Sequence, residues 1–147
     1  RWSLGLIFLW FGALKFFPDL SPAEELAQRT IQIITGGEIS PVISIRVLAV
    51  WESAIGLGLI SGRFLRITLL LLWLQMAGAL LPLILFPHDL FLRIPYAPTL
   101  EGQYVLKNLV LVSASLVIGA TVRGGRIISH PHAAETAKKR DGEETSP

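Results

Sequence analysis

Four apolar stretches separated by polar segments organise the chain. They cover about residues 2–17, 41–60, 64–86 and 103–122. An α-helix rises about 1.5 Å per residue, so about 20 apolar residues cross a bilayer core of about 30 Å. The first stretch is slightly short, and because the chain starts at Arg1 rather than Met, we expect upstream residues to complete it. The pattern therefore predicts four transmembrane helices.

The segment between the first two stretches predicts a helix of a different kind. Pro18 should end the first span, because proline cannot continue helical hydrogen bonding. Ser21 to Glu24 form a capping box with proline at the first helical position, and Gly36-Gly37 should stop the helix after about Thr35. Its apolar residues share one face, so we expect it to lie at the membrane surface or to cover the mouth of the bundle as a lid.

These elements predict an all-α protein: a four-transmembrane-helix bundle with a short amphipathic surface helix between the first and second spans. The membrane domain covers residues 1–126. Residues 127–147 are polar and predict a flexible tail. The segment from Pro87 to Gly102 contains several prolines and aromatic residues, and it is predicted to be a loop.

The composition indicates an integral membrane protein. Hydrophobic residues make up 52% of the 147 residues and charged residues only 16%, against about a quarter in soluble domains. The net charge of +2 gives no reason to expect nucleic-acid binding. The chain has no cysteine, which excludes disulfides and thiolate metal sites. His130 and His132 alone make a poor metal site, so none is predicted.

The positions of lysine and arginine predict the orientation. Arg63 and Arg66 lie in the short second connection, and five more basic residues follow the fourth span: Arg123, Arg126, Lys138, Lys139 and Arg140. The other two connections are mainly acidic or carry a single arginine. The positive-inside rule then places both termini in the cytoplasm.

Glu52 lies near the centre of the second apolar stretch, where an ionised carboxylate is costly. Ala49, Ser53 and Gly56 surround it at helical spacing, and such small residues allow a close neighbouring helix. Two interpretations stay open. Glu52 is either a buried acid that holds the bundle together or an acid with a function.

Other polar residues fall in the same outer half of the membrane or near its midplane. We expect Lys15, Arg46 and Lys107 to form a basic, outward-facing pocket with Glu52 at its floor. The remaining candidates for binding a ligand there are Asn108, Gln75, Tyr104, Trp51 and Gln103. The alternative is that Lys15 and Arg46 extend to the lipid headgroups while Lys107 pairs with an acid.

Such a pocket suits a small anion or the flat head group of a quinone. A lysine can donate to a quinone carbonyl, and Glu52 can exchange the proton that quinone reduction requires. No nucleotide motif and no pair of haem-ligating histidines stands out in the sequence. The quinone expectation therefore comes from the pocket and not from a motif.

Several short runs carry a family resemblance. They are Trp10 to Phe17 followed by Ser21-Pro22-Ala23, Trp51-Glu52 followed by Ile55 to Gly58, Gln75 to Gly78, and Leu100 to Asn108. Together they resemble the DoxX-like family of small bacterial membrane proteins. The resemblance implies a four-helix bundle in the bacterial inner membrane and a link to thiosulfate:quinone oxidoreduction or oxidative-stress enzymes. Lys15 and Glu52 match the family's lysine and glutamate.

The leading hypothesis is a membrane subunit of a redox system. It would bind a quinone or a small anionic substrate, with Lys15 and Glu52 as catalytic residues, and would contact the lipid bilayer and other redox subunits. Whether the chain is itself an enzyme stays open. The alternative is a non-catalytic anchor or assembly subunit of a larger membrane complex. A small transporter is a third, weaker hypothesis, because the inner half has almost no polar residues.

Overall fold

The computed structural model describes residues 1–17 and 24–122. Helices dominate this part of the chain. They are α1 (Trp2–Leu14), α2 (Glu24–Ile34), α3 (Pro41–Ser61), α4 (Leu65–Leu80), α5 (Pro82–Leu85), α6 (Pro87–Leu90) and α7 (Leu100–Val122). Two short antiparallel strands, β1 (Phe91–Arg93) and β2 (Ala97–Pro98), precede α7. The predicted stop at Pro18, the cap at Ser21 and the tail 127–147 lie outside the described residues.

Three helical segments in the described residues are long and apolar enough to cross a membrane. They are Pro41–Ser61, Leu65–Leu85 (α4 followed by α5) and Leu100–Val122. These segments confirm the second, third and fourth predicted spans as candidate membrane helices. The first, α1, is apolar but has 13 residues, which correspond to about 20 Å of helix. The first predicted span therefore stays a prediction.

The glycines predicted to end α2 and α3 are found at those helix ends, whereas α1 ends at Leu14, before its predicted end at about Phe17. Ser40 accepts a hydrogen bond from the Ile43 backbone at the start of α3, at 3.4 Å, and Gly62 ends α3 with φ +72°. Gly36 and Gly37 follow α2 with φ values of +63° and +83°. These left-handed conformations favour glycine because a Cβ atom is strained there.

Helix α1 runs antiparallel to α3 at very close range. A Cβ atom added to Gly56 would lie 2.6 Å from the Leu9 backbone nitrogen and 2.8 Å from the Gly5 carbonyl oxygen. One added to Gly12 would lie 2.7 Å from the Ser53 nitrogen. The two backbones therefore touch, which is the packing that small residues allow in membrane helices.

Two apolar clusters hold the helices together. The larger one combines side chains of α1, α3 and α4, with partly buried residues of α7 packed against it. The smaller one joins Leu26 of α2 to Leu90 and Val105. Outside it, an exposed ion pair links Arg29 to Asp89 at 3.0 Å. Helix α2 thus packs against α3 and α5, with Ile33 and Ile34 exposed at its end.

The prediction of a loop from Pro87 to Gly102 is wrong in its details. This segment contains α6, the β1–β2 hairpin and the first turn of α7. Leu90 is fully buried, and the Thr99 backbone donates to its carbonyl oxygen at 2.8 Å. The prolines suggested an irregular connection, but buried Leu90 and the hairpin hydrogen bonds order it.

We expect Gly56→Ala to destabilise the protein, because the added methyl group meets the backbone of α1. The loss should be about 1–3 kcal/mol, as for other overpacked sites. Gly78→Ala is the matched control, since nothing lies within 4 Å of its added Cβ atom. There the better helix propensity of alanine should stabilise the helix by about 0.5–1 kcal/mol. Thermal unfolding in detergent measures both, and equal effects would contradict the close α1–α3 packing.

Candidate functional site

Three polar side chains from three helical segments meet between α1, α3 and α4. The Lys15 ammonium donates to Glu52 Oε2 at 2.7 Å, and Gln75 Nε2 donates to Glu52 Oε1 at 3.0 Å. The side chains of Lys15 and Glu52 are only 10% and 11% exposed. We call these three residues the Lys15–Glu52–Gln75 cluster.

The close packing of α1 on α3 places the lysine. A Cβ atom added to Gly12 would lie 3.1 Å from Glu52 Cβ, so the two backbones are adjacent at the level of the acid. Lys15 follows the last residue of α1, and its ammonium also lies 3.5 Å from the Phe11 carbonyl oxygen. A cation at a helix C-terminus is favourable because the carbonyl ends carry partial negative charge.

Trp51 helps to position Gln75, the third residue of the cluster. Its indole Nε1 donates to the Leu71 carbonyl oxygen at 3.2 Å, one helical turn before Gln75. This contact ties α3 to α4 at the height at which Gln75 reaches Glu52. The sequence suggested Trp51 as a candidate for binding a ligand, and its N–H group adds this positioning contact.

The cluster lies at the middle of the candidate membrane span. Glu52 is 11 residues from Pro41 and 9 residues from Ser61, which correspond to about 16 Å and about 14 Å along the helix. A carboxylate at that depth needs charged or hydrogen-bonding partners. Lys15 and Gln75 supply both, one for each carboxylate oxygen.

The cluster offers donor and acceptor chemistry in an apolar setting. Lys15 is a cationic donor, Glu52 can hold or release a proton, and Gln75 donates through its amide. A guest with a carbonyl or an anionic oxygen can accept from Lys15 in place of the carboxylate. Electrostatic interactions at such a site are stronger than in water because the surroundings are poorly polarisable.

The other predicted site residues lie elsewhere. Arg46, Gln103, Tyr104 and Lys107 are exposed, and Asn108 is half-buried. Arg46 precedes Glu52 by six residues, or about 240° around a helix of 3.6 residues per turn, so the two side chains point to different faces. The Lys107 ammonium lies 5.3 Å from the centre of the Tyr104 ring.

The expected convergence of three cations is therefore not observed in residues 1–17 and 24–122, where Lys15 alone forms a salt bridge with Glu52. A ligand-binding role for Arg46, Lys107 and their neighbours stays a prediction. Within the same residues, no group of three histidine, aspartate or glutamate side chains has the arrangement of a metal site. His130 and His132 lie outside the described part of the chain.

A groove of about 290 Å³ lies between α4 and α7. Its lining is almost entirely apolar: Trp73, Met76, Ala77, Leu80, Val112 and Leu116. The Trp73 indole donates to Ser115 Oγ at 2.9 Å, a contact that the sequence does not predict. Ser115 and Gly119 are small residues four positions apart on α7, a pattern that indicates helix packing but not this hydrogen bond. None of the three cluster residues lines this groove, so it does not correspond to the predicted polar pocket.

Within residues 1–17 and 24–122, the fold is largely helical, with three helices suited to a membrane and an ion pair buried among the helices. Comparison with known protein families, with characterised proteins and with solved structures gives no match. The DoxX-like resemblance therefore stays a prediction from the residues that carry it.

A double-mutant cycle tests whether the buried pair is energetically coupled. Lys15→Met should cost about 3–5 kcal/mol because it leaves the Glu52 charge buried without its partner. Lys15→Met combined with Glu52→Gln should recover much of that loss, since no lone charge remains. The measurement is unfolding in detergent. As a control, Arg29→Met and Asp89→Asn at the exposed Arg29–Asp89 pair should each cost at most about 1 kcal/mol. Additive effects of the single changes at Lys15 and Glu52 would contradict the coupling.

Proposed function

We propose that this chain is a membrane subunit of a redox system. It binds the head group of a quinone, or a small anionic substrate, at the Lys15–Glu52–Gln75 cluster. In this proposal the chain is a DoxX-like protein of the bacterial inner membrane, and it works with other redox subunits. The observation that carries the proposal is the buried Lys15–Glu52 pair at mid-span, since ionisable groups at that depth commonly mark functional sites.

The proposed topology is a four-helix bundle with both termini in the cytoplasm. Helix α1 would belong to the first of the four spans, which the sequence predicts over about residues 2–17. Its close packing on α3 supports this arrangement, because a helix that packs along a membrane-spanning helix lies at the same depth in the bilayer. The Lys15–Glu52–Gln75 cluster would then open toward the extracytoplasmic half, on the side of the N-terminal end of α3.

The proposed chemistry assigns one task to each side chain. Lys15 donates to one quinone carbonyl oxygen, and Gln75 can donate to the same guest when it turns away from Glu52. Reduction of a quinone to a quinol takes two electrons and two protons. A partner redox subunit supplies both electrons. Glu52 takes up a proton from solvent and passes it to one reduced quinone oxygen, and then does the same for the second oxygen.

A second candidate is a non-catalytic anchor or assembly subunit. It is favoured by the fact that both Glu52 oxygens already have donors within 3.0 Å. A fully hydrogen-bonded polar group can serve as a fixed link between helices. In that case the pair sets which helices come together and binds no substrate.

We expect Glu52→Gln and Lys15→Ala to abolish quinone-coupled turnover of the redox complex, measured per amount of chain assembled in membranes because loss of the Lys15 charge also destabilises the fold. Binding of decylubiquinone to the protein in nanodiscs should weaken by at least about tenfold, or about 1.4 kcal/mol. Arg29→Ala, which removes an exposed cation outside the cluster, should leave binding unchanged. Normal turnover in Glu52→Gln and Lys15→Ala would refute the redox role.

The charge swap Lys15→Glu with Glu52→Lys separates the two candidates. It restores an ion pair between α1 and α3, so folding and association with a partner should recover relative to either single change. Turnover and quinone binding should not recover, because the cation and the proton carrier have exchanged places. Recovery of turnover together with folding and association would favour the anchor, in which only the presence of a pair matters.

A further inference from the structure

The tip of the β1–β2 hairpin exposes large apolar side chains. Leu92 is 78% exposed, Ile94 51% and Tyr96 70%, and Arg93 between them is exposed as well. In the transmembrane segments, exposed apolar residues are expected because lipid covers them. The hairpin lies outside those segments, so its exposed residues need another explanation. Exposed apolar clusters of this kind mark contact surfaces.

The base of the hairpin is firmly held, which fixes the tip in one place. The Thr99 backbone donates to the Leu90 carbonyl oxygen at 2.8 Å, and the Thr99 hydroxyl donates to the Asp89 carbonyl oxygen at 3.0 Å. Gly102 of α7 packs directly against the Leu90 carbonyl. The hairpin is therefore a built element of the fold with its apolar tip turned away from the core.

The chain also fixes the distance of the hairpin from the membrane. Leu85 ends one candidate span, and Leu100 begins the next. Residues 86–90 connect the span that ends at Leu85 to β1, and Thr99 alone separates β2 from α7. If both segments cross the bilayer, such short connections keep the hairpin at the membrane surface.

We propose that the hairpin tip inserts into the membrane–water interface on the side where α7 begins. Leu92 and Ile94 enter the boundary between headgroups and acyl chains, and Tyr96 places its ring there with its hydroxyl toward water. Arg93 contacts lipid phosphate groups. Pairing of β1 with β2 satisfies part of the backbone that would otherwise enter this layer unpaired. The proposal depends on the membrane spans and not on the quinone site.

Site-directed spin labelling tests this directly, because the native chain has no cysteine to remove. Leu92→Cys, Tyr96→Cys and His88→Cys are each labelled with a nitroxide in the full chain, one molecule per phosphatidylcholine nanodisc. His88 is the matched control, since it is exposed, polar and close to the hairpin. Collisions with oxygen, which concentrates in lipid, are compared with collisions with a water-soluble nickel chelate.

The ratio of oxygen to nickel collisions should be at least about threefold higher at residues 92 and 96 than at residue 88, as expected for side chains placed in the interface. A ratio at residues 92 and 96 as low as that of a nitroxide free in water would place the tip in water and overturn the proposal. Low collision rates with both reagents at residues 92 and 96 would show that protein covers the tip. That result would overturn it in favour of a protein contact.

Discussion

The ion pair between Lys15 and Glu52 is the constraint on which the rest of the structure depends. A lone carboxylate near the middle of an apolar span is unstable there by several kcal/mol. The chain resolves this by bringing α1 along α3 until a lysine lies 2.7 Å from the acid, and by adding Gln75 from α4. One buried charge thus determines which helices must be neighbours and at which height.

The glycines of α1 and α3 make that arrangement possible. Gly12 and Gly56 remove the side chains that would keep the two backbones apart. The shorter distance between helices lets Lys15 reach Glu52 from just beyond the end of α1. Packing and electrostatics are therefore coupled, because a wider α1–α3 spacing would move the ammonium away from the carboxylate. Trp51 holds α4 next to α3 through its hydrogen bond to the Leu71 carbonyl oxygen.

The sequence predicts the parts of this structure that depend on local pattern. The apolar runs gave three helices close to their observed bounds, and glycines marked the ends of α2 and α3. The small neighbours of Glu52 correctly indicated a close helix. The sequence could not show toward which neighbouring helix each polar side chain points. Arg46 lies near Glu52 in the chain but on another face of α3, and Lys107 is exposed on α7.

Contacts made by backbone and indole groups were also beyond the sequence. A tryptophan N–H group finds a partner only after two helices have docked, as Trp51 and Trp73 show. The hairpin between α6 and α7 depends on buried Leu90 and on hydrogen bonds between its ends. Proline-rich composition alone does not distinguish such an ordered connection from an irregular one.

The complete hydrogen bonding of Glu52 constrains any ligand that uses the cluster. A guest must replace a charge-assisted bond from Lys15, and such bonds are about twice as strong as neutral ones. An anion or a carbonyl that accepts from Lys15 can offset that loss only while Glu52 is neutral or keeps Gln75 as a donor. Ligand binding at the cluster would therefore be linked to protonation of Glu52. A quinone or an anion brings no proton, so Glu52 would take it up from solvent when the guest displaces its bond to Lys15.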